Sequence, residues 1–275
     1  MTAPNAPATL VVSIDCDAAA SDRPTAAPHP VEAAVDSLLR FFADHGVPAT
    51  WTFADPAASP SAERVRADGG DHEVALSAGS DWAGPDVGRR RFADELSLRM
   101  AAAQNAGYSI STLSLSAGAA TQQPDLLVQH GITAICPPAT ARRENTRAGG
   151  LLKLHTWRRA AVEAEAENES PPRPLRWGLW HVPVDCDLLR SGPRRTRQRI
   201  EQVAGRGGLL HCRVDVPALL DRNGRTLRTL DAAFTYILDQ RDAGKLRIST
   251  MSSAVGTLRR RSTPPARSIL HRLAA

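Results

Sequence analysis

Residues Leu10–Ala19 read LVVSIDCDAA. An apolar run ends abruptly in two carboxylates, Asp15 and Asp17, one residue apart. Side chains alternate across a strand, so Ser13, Asp15 and Asp17 share one face while Ile14 and Cys16 share the other. Two carboxylates at a strand tip repel each other unless a cation, a proton or a hydrogen-bond donor stands between them. One reading is a metal ligand beside a general base. The other is a strand-end cluster that caps the next helix or pairs with arginine, and these two residues alone favour it.

Outward from this strand, short apolar runs alternate with helical patterns, which indicates βα units and a parallel sheet. HPVEAAVDSLLRFFADHG follows as a helix: Val31, Val35, Leu38, Leu39 and Phe42 fall on one face, and Gly46 stands at its stop. PATWTF is the second strand. SPSAERVRADGG opens a helix with Ser59 as cap and Pro60 in the first turn. HEVALS, SISTLSL and ITAIC continue the strands, with helices in DELSLRMAAAQNAG and PDLLVQHG. Regularity lapses over about 140–172, where LLKLHTW is a further candidate strand. Order returns with LRWGLWHVPVD, the helix TRQRIEQVAG, the strand GGLLHCRVD, the helix LDAAFTYILDQRDAG and the strand KLRIST. Seven or eight such pairs predict one α/β domain, a single barrel over 1–256. A basic, proline-broken and loosely attached tail is expected over 257–275. In such barrels chemistry sits at the C-terminal ends of strands, and Asp15, Asp17, Ser77, Asp185 and His211 all fall at or near those ends.

The chain has 275 residues and is 42% hydrophobic but only 4% aromatic, so the predicted core is mostly Ala, Val and Leu. No run is long enough and apolar enough for a membrane span. The N-terminus has no basic region before the first strand, and the four cysteines form no CxxC pair, so a reduced, cytoplasmic protein is expected. The net charge is +5, with Lys153 and Lys245 as the only lysines among 34 basic residues. The abundant arginine can reflect coding bias, and no DNA-reading motif accompanies it, so nucleic acid is not the expected partner.

VVSIDCDAA resembles the first motif of the polysaccharide deacetylases (the NodB-homology proteins, carbohydrate esterase family 4), in a variant with Asp-x-Asp. FFADHGVPATWTF resembles that family's next helix and strand, GGDHEVALSAGSDW its Gly-His-Glu segment leading to a His-x-x-x-His pair, and GGLLHCRVD its strand ending in Leu-His. LDAAFTYILDQRDAGKLRISTMSSAV resembles the closing helix and strand. The resemblance spans roughly 9–255 and implies a distorted (β/α) barrel. It also implies removal of acetyl groups from amino sugars, or opening of related amides. A divalent metal, often zinc, would be held by one aspartate and two histidines. Asp15 then takes the catalytic base position, Asp17 a metal position, and His211 the position of the histidine that protonates the leaving amine.

There the pattern fails. Ser77 and Asp81 stand where the two metal histidines belong, and no Arg-x-Pro-Tyr segment, which orients the base, lies near LSLSAGA. Asp17 and Asp81 leave an incomplete metal site, so the expected cofactor is none or a weakly bound divalent metal. His72 falls on the opposite strand face from Ser77. VDCDLL at 184–189 echoes IDCDAA, and Asp185 and Asp187 could add carboxylates at the same mouth, although coincidence accounts for the echo. Cys16 and Cys212 are expected to be small core residues, as are Trp51 and Trp180. Trp82, placed in a loop beside Asp81, is the candidate for stacking on a sugar. The expectation is a diverged deacetylase-like protein that binds a carbohydrate or acetylated ligand with weak or no deacetylase activity. Two alternatives stay open: an active hydrolase with a carboxylate-rich site of Asp15, Asp17, Asp81 and His211, and a non-catalytic scaffold in polysaccharide synthesis. The sequence leaves enzymatic activity, the sugar and the oligomeric state undecided.

Overall fold

The computed structural model describes residues 6–16, 29–115, 123–137, 171–220 and 225–262. Asp17 and the candidate strand LLKLHTW lie outside the described residues. In chain order the elements are β1 (Ala8–Asp15), α1 (His29–His45), β2 (Thr50–Phe53), α2 (Pro60–Ala67), β3 (Glu73–Ala78), α3 (Ser80–Ala83), α4 (Arg89–Asn105), β4 (Thr112–Leu115), α5 (Pro124–Gln129) and β5 (Ala134–Cys136). They continue with β6 (Arg173–Pro174), a 3-10 turn at Arg176–Gly178, β7 (Trp180–His181), β8 (Cys186–Asp187), α6 (Gly192–Arg206), β9 (Leu209–Asp215), α7 (Val216–Leu220), α8 (Arg225–Asp242), β10 (Leu246–Ser249) and α9 (Met251–Ser262).

The local signals act as expected. Ser59 caps α2 by accepting the Ala62 N–H at 3.3 Å, satisfying one of the donors that a helix start leaves free. Gly46 ends α1 in the left-handed region at φ 58°, where a side chain would be strained. The helical stripe Val35, Leu38, Leu39 and Phe42 is buried against the outer face of β1, where Leu10, Val12 and Ile14 point. Each such side chain contributes about 1.5–3 kcal/mol on full burial.

The sheet is curled and mostly parallel, in the order β6-β7-β5-β4-β3-β2-β1-β9-β8, with β10 pairing the first half of β1 and β2 the second half. Among the described residues only the β6–β7 pair is antiparallel. The two ends of this path are joined by the chain itself. Val182 N–H donates to Ile135 O at 2.9 Å, and Asp185 N–H donates to His211 O at 2.9 Å. A single extended segment therefore passes from β5 to β9, with Pro183, which has no N–H to place, at the change of partner. This closure is why β7 and β8 are only two residues long.

Inside the curl, Val11, Ala134, Trp180, Val182 and Leu209 pack against Met251, Ala254 and Val255 of α9. The helix therefore plugs the end of the barrel away from Asp15. Glu73 fixes it there: its buried carboxylate accepts hydrogen bonds from Thr50, Ser111 and Thr112 hydroxyls (3.1, 3.2 and 2.6 Å) and from Ser252 N–H (2.9 Å). The boundary expected at residue 257 falls inside a helix. α9 runs to Ser262, and Leu258 packs against the inner cluster, because no proline interrupts the helix before Pro264.

Candidate functional site

At the C-terminal end of β1 and β9, parallel register sets Ser13 beside Arg213 and Asp15 beside Asp215. Alternation along β9 puts His211, Arg213 and Asp215 on one face, the face that meets Ser13 and Asp15. Arg213 Nη2 lies 2.7 Å from Asp15 Oδ2, and the Thr52 hydroxyl approaches Asp15 Oδ1 at 3.4 Å. Both ion-pair partners are about one-fifth exposed. Asp15 thus pairs with arginine, as the simpler reading of the strand tip has it. The arginine comes from β9 rather than from the segment around LSLSAGA. Further round the mouth, Arg190 sits 3.4 Å from Asp187 and 3.9 Å from Asp215, so carboxylates and guanidinium groups alternate.

His211 is fully buried below this layer. Its Nδ1 is 3.2 Å from Pro183 O, which can only accept, so Nδ1 carries the proton. Nε2 is then the acceptor, and Ser13 Oγ–H donates to it at 2.8 Å. Burial lowers the imidazole pKa to about 4, helped by the charge of Arg213. At neutral pH the ring is uncharged and holds no proton on Nε2. In this state it can serve as a base toward the Ser13 hydroxyl but has no Nε2 proton to give to a leaving group. Asp185 Oδ2 accepts the His211 backbone N–H at 2.8 Å, and burial raises that carboxyl to about 6. Asp187 Oδ1 accepts the Leu189 and Arg190 N–H groups, both at 3.0 Å, and so organises the turn after β8.

The remaining candidates do not join this cluster. Ser77 is buried on β3, in register with Ser114. Asp81 is exposed on the one-turn helix α3, with its carboxylate folded over Gly79, where a Cβ would collide with it. His72 points away, as alternation predicts: Nδ1 accepts Ala49 N–H at 3.2 Å, and the ring packs near Trp51. Trp82 requires a correction. The expected loop is α3, and Trp82 is 2% exposed, stacked on Phe92 with the Arg99 guanidinium over its ring. No face is left for a sugar.

Among the described residues, no three His, Cys, Asp or Glu side chains come together as a metal site. The donors at the aligned positions are a buried hydroxyl and an outward-turned carboxylate, without imidazole. A catalytic zinc site takes three protein ligands, so these residues do not fit it. Sequence reasoning missed Ser13, Arg213, Arg190 and Asp215. The alternation in LHCRVD carried the signal for two of them.

No family model matches the chain, and no curated protein matches it in sequence. Solved structures do match. The Mycobacterium smegmatis protein assigned as a polysaccharide deacetylase superposes with TM-score 0.66 at 16% identity, covering 95% of this chain and 93% of that one. The allantoinase PuuE gives 0.64 at 11% identity, over 95% and 93%. A carbohydrate esterase family 4 pseudoenzyme from Bacillus anthracis gives 0.50 at 11% identity, over 92% and 66%. The chain therefore has the polysaccharide deacetylase-type (β/α) barrel fold, as its motifs led us to expect. Among the described residues no helix is long and apolar enough to cross a membrane.

Proposed function

We propose that this chain is a diverged protein of polysaccharide deacetylase type that binds a carbohydrate or acetylated small ligand at the barrel mouth, with weak or no metal-dependent deacetylation. The observation that carries the reading is the state of His211: buried, neutral and already accepting from Ser13. The outward turn of Asp81 and the burial of Ser77 support it. A cytoplasmic location belongs to the same proposal. The alternating charges of Asp15, Arg213, Asp215, Arg190 and Asp187 favour one other reading, a hydrolase with an altered carboxylate-rich mouth.

Acetate release from N-acetylated chitin oligomers and from a simple acetyl ester, with and without added zinc, separates the two. Release no greater than that of a protein-free control is expected. Turnover that disappears in both Asp15→Asn and His211→Ala would replace the first reading with the second. Calorimetry with the same oligomers tests binding, which Asp15→Asn is expected to weaken.

A further inference from the structure

At the plugged end of the barrel, two guanidinium groups converge on one hydroxyl. Arg247 Nη2 and Arg260 Nη2 lie 3.3 and 3.1 Å from Thr257 Oγ1, which itself donates to Ser253 O at 3.1 Å. Both arginines are exposed, and neither has a carboxylate partner among the described residues. Like charges held this close repel, and an anion between them removes the repulsion. One residue along α9, Arg259 donates to Gly178 O, tying the helix to the turn that carries Trp177. Trp177 is 58% exposed and is the one non-glycine residue at positive φ (57°) among the described residues. A strained backbone that displays a large aromatic side chain to solvent points to use of that side chain. The described segments that supply this face carry one sign of charge: no Asp or Glu occurs from Pro171 to Val184 or from Ala243 to Ser262, where Arg173, Arg176, Lys245, Arg247, Arg259, Arg260 and Arg261 stand.

We infer that this face binds an acidic polysaccharide, with a sugar ring stacked on Trp177 and its carboxylate or other anionic groups on Arg247 and Arg260. The class of polymer rests on the carbohydrate reading above. Among the described residues the other large exposed apolar side chains, Leu98, Leu220 and Leu227, are on α4, α7 and α8, so the described part of this face offers Trp177 beside arginines and no apolar patch to enter hydrocarbon, which favours a sugar over a lipid bilayer. Trp177, the one exposed aromatic of large size among the described residues, also fits a single ring better than the succession of stacked bases in a nucleic-acid strand.

The test uses the full chain and oligomers of polygalacturonate, a uronic-acid polymer, followed by Trp fluorescence and calorimetry. Trp177→Gly keeps the left-handed turn and removes the ring, and Arg247→Gln with Arg260→Gln removes the paired charge. Each is expected to weaken binding roughly tenfold or more, with salt weakening wild-type binding as well. Uronate binding that persists in the Trp177 and arginine variants overturns the inference, even where neutral N-acetylated oligomers still bind at the mouth and the carbohydrate reading survives. No uronate binding by the folded wild type overturns it too. Tighter, Trp177-dependent binding of a single-stranded oligonucleotide, or of phosphatidylglycerol-containing vesicles, replaces the polysaccharide with that ligand.

Discussion

His211 and Asp185 are joined by two hydrogen bonds and pull stability in opposite directions with pH. The folded pKa of His211 is about 4, against an ordinary value of 6.5. Between those values the unfolded chain binds a proton that the folded chain refuses, so stability falls as pH drops from about 6.5 to 4. Asp185 is raised to about 6 from 3.8. Between those values the folded chain holds a proton that the unfolded chain has released, so this contribution to stability is lost as pH rises through about 6. The full His211 effect is about 3 kcal/mol and that of the less buried Asp185 is smaller, so the two partly cancel. Asp185→Asn, which keeps an acceptor for the His211 N–H, is expected to lose stability more steeply than wild type on acidification from pH 6.5 to 4. His211→Gln is expected to lose it less steeply. Urea unfolding at stepped pH checks this, and three parallel profiles would contradict the assignment. Asp15 was legible because it ends a strand whose apolar pattern is local; His211, expected near a strand end, is the third residue of β9, which runs on through Arg213 to Asp215. The state of His211 was not, because it is set by Pro183 O, 28 residues away in sequence.

The elements most readable in the sequence carry their own start and stop signals, as α1 and α2 do with Gly46, Ser59 and Pro60. Those it concealed are made by contacts between distant segments. β7 and β8 exist because one segment bridges β5 and β9, and α3 is a single turn seated on α4, which is why Trp82 read as a loop residue. The junction of β3 and α3 also tests the alignment of the lost metal site. Ser77→His with Asp81→His restores the four-residue spacing of the family's histidine pair. With Asp17, the metal position that the resemblance implies, as third ligand, the double variant is expected to bind zinc near stoichiometrically, and each single variant much less, since a zinc site of this kind takes three protein ligands and one imidazole alone supplies too few. Calorimetric titration decides. Equal, negligible binding in wild type, both singles and the double would mean that Ser77 and Asp81 are not the counterparts of those histidines. At the other end of β3, Glu73 holds α9 through Ser252 N–H and gathers three hydroxyls. Glu73→Ala leaves those buried donors unpaired and is expected to cost about 3 kcal/mol by chemical denaturation, with Glu73→Gln costing less.

The barrel holds together through two closures, neither visible in any one stretch of sequence: the bridging segment at Trp180–Asp187 and the α9 plug. The periodic pattern predicted the repeated βα units, while the side-to-side closure depends on which distant backbones meet. The sequence placed the end of the barrel at residue 256, inside α9, because the arginines that follow look like a solvated tail. Physically those residues are the last turns of a helix whose inner side is apolar. Removing 263–275 leaves α9 whole and is expected to shift Tm by no more than about 1 °C. Ending the chain at Gly256 removes Leu258 from the inner cluster, the Arg259 bond to Gly178 O and the Thr257 hydroxyl that holds Arg247. It also leaves Met251, Ala254 and Val255 on a helix about half as long, too short to hold its shape without the packing of its last turns. The loss of one packed leucine and two hydrogen bonds is worth about 2–3 kcal/mol, which for a chain of this size lowers Tm by about 5–10 °C. Differential scanning calorimetry on the two truncations decides between the boundaries. Equal melting temperatures for the two would place residues 257–262 outside the folded unit, and a large drop already present in the product ending at 262 would show that the final thirteen residues contribute to the fold.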